Sequence, residues 1–142
     1  MKRRQRGLTL VEFALVGPVA LTVLFGCIEI GRALFVWNTV CEATRRGARV
    51  AVVSPVDPNS AVVKAAVRTY GSFDNMENSN ISIRYLDATG TETAVPASIR
   101  FVTVGVAGLP HRLLIPFVDL EVQIPAFATT LPTESLGFVP PP

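Results

Sequence analysis

The sequence is poor in the residues that build chemical sites. It has two cysteines and one histidine in 142 residues. Neither a disulfide framework nor a His/Cys zinc site can be made from that stock. Charged residues make up 17% of the chain, below the ~25% of ordinary soluble domains. That share argues against a long solvated coiled coil, and the 49% hydrophobic content argues against disorder. The basic surplus is equally thin. Lys2, Arg3, Arg4 and Arg6 are four of the 13 basic residues; taking them away leaves nine, against 11 acidic residues. No basic patch remains to hold a nucleic acid, and none is expected as a partner. There is no H-E-x-x-H, no G-x-S-x-G and no G-x-x-x-x-G-K-[ST]. His111, beside Pro110, reads as a solvated side chain in a turn. Asp119 and Glu121 read as the exposed face of a strand. We expect no enzyme, no cofactor and no metal.

What is present is a long apolar run. Residues 13–28, FALVGPVALTVLFGCI, carry no charge. As helix they span about 24 Å, short of the ~30 Å hydrocarbon core of a bilayer. Leu8–Val11 before them and Ala33–Trp37 after them make the length ample. Residues 8–36 therefore read as a transmembrane helix, with a mild kink at Pro18 and Trp37 at the far interface. Glu29 and Arg32 can neutralise each other three residues apart on one helix, or pair between helices of a bundle. Small residues at Thr22 and Gly26, and at Cys27 and Gly31, permit close helix approach. The N-terminal KRRQR cluster predicts a cytoplasmic N-terminus with the remainder outside.

Three fates compete for this N-terminus. A cleaved secretory signal needs a short apolar core and then a polar start; here the apolar character runs on to Trp37, and Glu12 stands in front of it. Leu24-Phe25-Gly26-Cys27 is a loose lipobox in which Cys27 would be acylated, but Phe25 is bulky and Ile28–Trp37 offers no polar tether. The third is a basic leader ending in Gly7, with a carboxylate, Glu12, at the fifth position after it.

The string Gly7-Leu8-Thr9-Leu10-Val11-Glu12-Phe13 resembles the prepilin peptidase site of type IV pilins and pseudopilins. The longer stretch to Val53 is similar to the TadE-like family, minor pilin-like proteins of the tight-adherence (Tad/Flp) pilus. The shared pieces are Val11-Glu12-Phe13-Ala14-Leu15-Val16 with Pro18, then Glu29-x-Gly31-Arg32-Ala33, then Ala43-x-Arg45-x-Gly47-Ala48-Arg49. Leu8-Thr9-Leu10 is closer to general pilins and type II secretion pseudopilins. The resemblance implies cleavage after Gly7, which frees the amine of Leu8. It also implies subunit assembly through Glu12 and Phe13, with Glu12 paired to the N-terminal ammonium of a neighbouring subunit. Read from the residues alone, Glu12 can also sit at headgroup level, since four residues of helix reach only about 6 Å inward. A carboxylate deeper in hydrocarbon is costly unless neutralised. The implied partners are prepilin peptidase, other pilin-like subunits and the Tad assembly machinery, with its platform proteins directly and its ATPase indirectly. The implied location is the inner membrane, single-pass, with the C-terminal part periplasmic. The alternatives are a membrane-anchored or lipoprotein binding module and a type II secretion pseudopilin.

Beyond the membrane the helix pattern continues. Trp37, Cys41, Thr44, Ala48 and Ala51 share one face, Glu42, Arg45, Arg46 and Arg49 take the solvent side, and Pro55 ends the run. Cys27 and Cys41, about 21 Å apart along one helix, cannot pair with each other. A second helix over 61–70 is expected, capped by Asp57 with Pro58 at its first position, facing inward through Val62, Ala66 and Val67. Strands are expected over 81–85, 98–107 and 118–124, with a turn at 87–90. Residues 108–116 read as a turn or short helix, and the chain after Pro125 as irregular. The resulting class is α+β: a long N-terminal transmembrane helix, extended into a periplasmic stalk, carrying a short helix and a small antiparallel sheet of about three strands. The divisions are a basic leader over 1–7, the membrane helix over 8–36 and its extension over 37–54. A periplasmic domain over 55–131 and a Pro-rich tail over 132–142 complete the chain.

Overall fold

The computed structural model describes residues 4–71, 76–114 and 120–133. Its first element, α1 (Arg4–Val53), is a single 50-residue helix, about 75 Å long. It runs unbroken through Pro18, Gly31 and Gly47. The Thr22 hydroxyl donates to the Pro18 carbonyl at 2.8 Å, one turn back. From Leu8 to Ile28 the large apolar side chains stand in the open, with Phe13 at 76% exposure. From Val36 onward one stripe is buried: Val36, Val40, Ala43, Ala48 and Ala51. Trp37 is exposed and Cys41 half-buried. The buried stripe is therefore rotated slightly from the expected one, and centred on smaller residues.

The reason is a close crossing. The second helix, α2 (Ala61–Gly71), lies against α1 with Val63, Val67 and Gly71 buried. At Gly47 a Cβ atom would lie 2.3 Å from Val67 Cγ2 and 3.2 Å from a Val104 methyl. Only a residue without a side chain lets the two helices and the sheet meet there. The expected inward set of α2 is corrected, because Val62 is 66% exposed and Val63 takes its place. The cap is corrected too. Ser60 accepts the Val63 amide on its hydroxyl at 3.4 Å and the Lys64 amide on its carbonyl at 3.1 Å, which is what an N-cap residue does. Asp57 instead turns the preceding loop, accepting the Asn59 amide at 2.8 Å.

The main sheet is antiparallel, with β1 (Ile81–Leu86) beside β2 (Phe101–Val106), and β2 beside β5 (Phe127–Pro132). Register runs from Ile81 opposite Val106 to Leu86 opposite Phe101, and from Phe101 opposite Pro132 to Val106 opposite Phe127. Ile81, Ile83 and Tyr85 join Val102, Val104 and Val106 in the core over both helices. Each such buried side chain contributes about 1.5–3 kcal/mol relative to an exposed one. Asp87–Gly90 forms the expected turn, with Gly90 at φ 83. Residues 96–98 form one turn of 3-10 helix, so β2 starts later than expected.

Two corrections concern the last third of the chain. The strand expected over 118–124 is reduced to β4 (Glu121–Gln123), which pairs only with β3 (Pro110–Arg112) in a separate ribbon. Val118 and Asp119 lie outside the described residues. The third strand of the main sheet comes from the segment expected to be irregular. Two prolines flank the working part of that segment without interrupting it. Pro132, which has no N–H to give, closes an edge strand, where proline is tolerated. Phe127, Thr129 and Leu131 alternate half-buried with exposed neighbours. Phe127 packs its ring on Trp37 at 5.4 Å between centroids, and the Thr129 and Thr44 hydroxyls meet at 3.0 Å. Within the turn or short helix expected over 108–116, residues 110–112 form the ribbon strand β3, while 115–116 lie outside the described residues.

Candidate functional site

Two regions carry the residues singled out by the sequence. The first is the free end of α1. Gly7, Leu8, Glu12 and Phe13 all lie in its first turns, and all four are exposed. Among the described residues none forms an ion pair with Glu12. Among the described residues nothing covers this helix below the head. The helix over Gly7–Val53 is long and apolar enough to cross a membrane and fits a single-pass anchor. Cys27 is exposed within that helix, Cys41 is half-buried, and both are free thiols.

The second region lies where the head first touches α1. Glu29 and Arg32 face each other one turn apart, and the Arg32 Nε donates to both carboxylate oxygens at 3.1 and 3.2 Å. An Arg32 Nη2 hydrogen bond to the same carboxylate completes the fork. The β3–β4 ribbon closes over this pair. His111 Nε2 meets Glu29 Oε1 at 3.1 Å, and the Leu114 amide donates to Glu29 Oε2 at 3.4 Å. Arg32 also donates to the Arg112 carbonyl. An ionised carboxylate only accepts, so in this contact the His111 Nε2 carries the hydrogen. Glu29 and His111 are each 6% exposed. The expectation of a solvated His111 is therefore corrected. The only signal for its burial is spatial, since 82 residues separate it from its partner.

Both oxygens of Glu29 accept hydrogen bonds, from Arg32 and His111 on one and from Arg32 and Leu114 on the other. Among the described residues no group of three His, Cys, Asp or Glu is placed to hold a metal. Several other charged residues make contacts within the head. The Arg46 guanidinium lies 5.3 Å from the Tyr70 ring centroid, tying α1 to α2. Arg45 reaches Glu42 at 3.4 Å in the open, a contact of small energetic weight. The Tyr85 hydroxyl accepts the Asp57 amide at 3.1 Å, and burial raises its pKa. Asp87 has its pKa lowered, first by the Thr89 hydroxyl and then by the Thr91 amide.

Compared with known families, residues 7–49 match the model of the family described as TadE-like protein. No curated protein and no solved structure matches the chain.

Proposed function

With residues 7–49 TadE-like, we propose that the chain is a minor pilin-like subunit of a Tad/Flp pilus, made as a prepilin and cut after Gly7. One observation carries this reading: the family match, residues 7–49, takes in the exposed apolar part of α1 from the leader boundary and runs on into the stretch buried by the head. A helix left bare over its apolar half needs lipid or other helices around it, and a pilin stalk finds both in turn. Glu12 supplies the pairing group, and the Leu8 amine released by the cut is its partner in a neighbouring subunit. The KRRQR leader holds the N-terminus on the cytoplasmic side, where prepilin peptidase acts, and the head is exported. The protein is then a substrate of an enzyme and not an enzyme itself, and the force for assembly comes from the ATPase of the machinery.

Intact mass of the protein from its native membrane tests this. Loss of Met1–Gly7 that depends on the peptidase is expected. An uncut chain overturns the proposal, and a chain beginning at a lipidated Cys27 replaces it with a lipoprotein. Glu12→Ala is expected to abolish pilus assembly while membrane insertion persists; normal piliation by this variant would remove Glu12 from the mechanism.

A further inference from the structure

The β3–β4 ribbon is the part of the head that the pilin reading leaves without a task. Its direction is fixed by its contacts. Leu109, at its base, lies in the core with Val36. Two residues on, His111 has reached Glu29, and Leu114 contacts the same carboxylate. Glu29 lies seven residues N-terminal to Val36, about 10 Å down the helix. The ribbon thus descends along α1, away from the head and toward the bare apolar segment. Leu113 donates its amide to the Leu120 carbonyl at 3.0 Å, which continues the ribbon beyond its named strands.

Among the described residues the descending end is apolar and exposed; residues 115–119, between Leu114 and Leu120, lie outside them. Leu114 is 69% exposed, Leu120 52% and Val122 47%. β3 holds the helix through His111, and all three residues of β4 are exposed. Ile28 and Ile30, on either side of Glu29 in α1, are also exposed. Leu114, whose amide reaches Glu29, thus meets the helix at the end of its exposed apolar stretch. Below Glu29, residues 8–28 provide roughly 31 Å of helix, matching the ~30 Å hydrocarbon thickness. The bilayer boundary then falls at Glu29, where the carboxylate has its charge and hydrogen bonds answered by Arg32, His111 and the Leu114 amide.

We propose that the β3–β4 ribbon is a membrane-seated collar that places Leu114, Leu120 and Val122 in the lipid interface and ends the membrane span at Glu29. The occupant of the patch is the bilayer surface. Val122 stands opposite His111 in the ribbon, and the cross-strand pair Arg112 and Glu121 sits on the other face. The collar sets the height and tilt of the head over the membrane. This inference rests on the membrane-anchor part of the proposed function.

The test uses the full chain with Cys27 and Cys41 replaced by Ala. A fluorescent label is attached at one of four positions, through Ile28→Cys, Leu114→Cys, Leu120→Cys or Thr89→Cys. The protein is placed in phosphatidylcholine–phosphatidylglycerol vesicles carrying brominated acyl chains, and quenching is read at each site. Quenching at 114 and 120 comparable to that at 28 is expected, with depths of roughly 5–10 Å into the headgroup–acyl boundary. Position 89 should stay in water, and the signals should not change as lipid is added at fixed protein. Quenching at 28 with 114 and 120 in water overturns the collar and leaves the anchor intact. Shielding at 114 and 120 that disappears on dilution in lipid assigns the patch to a second copy and also overturns it. Loss of quenching at 28 itself refutes the anchor, and the collar falls with it.

Discussion

Gly47 shows how one residue can decide a packing arrangement. In isolated helix, alanine is better than glycine by about 1 kcal/mol. Here the added methyl would meet Val67 Cγ2 at 2.3 Å, and valine is stiff at χ1 and cannot swing aside. The clash outweighs the propensity. Gly47→Ala is expected to lower head stability by about 1–3 kcal/mol, read as a shift in the urea midpoint in detergent. Asp87 gives a residue-scale prediction in pH. Its folded pKa is depressed by hydrogen bonds from Thr89 and Thr91, so its contribution is complete above the ordinary carboxylate value. The contribution is lost as pH falls through the lowered folded value. Asp87→Asn should therefore be less stable than the parent near neutrality, and the gap should close in acid. A gap that widens with acidification would contradict the assignment.

Among the elements, the ribbon depends on Glu29 more than on its own ladder. A two-stranded ribbon is marginal by itself, and β3 and β4 have three residues each. Glu29→Ala leaves His111 without its carboxylate acceptor and Arg32 with only the Arg112 carbonyl. The amides of 111–114 and 121–124 should then exchange much faster with solvent, while those of β1 and β2 keep their protection. Equal protection in both proteins would show that the ribbon is held elsewhere. The start of α2 is similarly local. Ser60→Ala removes the cap from the Val63 amide and should cost about 0.5–2 kcal/mol, measurable by thermal unfolding of the head.

For the whole molecule, the two halves of α1 have different environments. The core begins at Val36 and the uncovered segment ends at Ile28. The exposed apolar helix predicts that the full chain needs detergent or lipid to stay dispersed. A chain starting at Ile28 retains every core residue, and it should unfold cooperatively in plain buffer. Aggregation of that shorter chain despite an intact fold would point to the ribbon patch as the sticky surface.

The sequence by itself determined the long helix, its apolar N-terminal half, the second helix and the first two strands. These are local matters: an uncharged run, a 3–4 spacing, a two-residue alternation and a glycine turn each act within a few neighbours. It also carried the match of residues 7–49 to the TadE-like family, through residues clustered in one continuous stretch. Only the tertiary structure decided three things. The third strand was Phe127–Pro132 and not 118–124, because pairing with β2 and contact with Trp37 and Thr44 outweigh a strand's intrinsic alternation. The buried face of α2 was set by the crossing at Gly47, which no pattern within 61–71 reveals. Glu29 acquired His111 across 82 residues, because burying a carboxylate demands donors from wherever the chain passes.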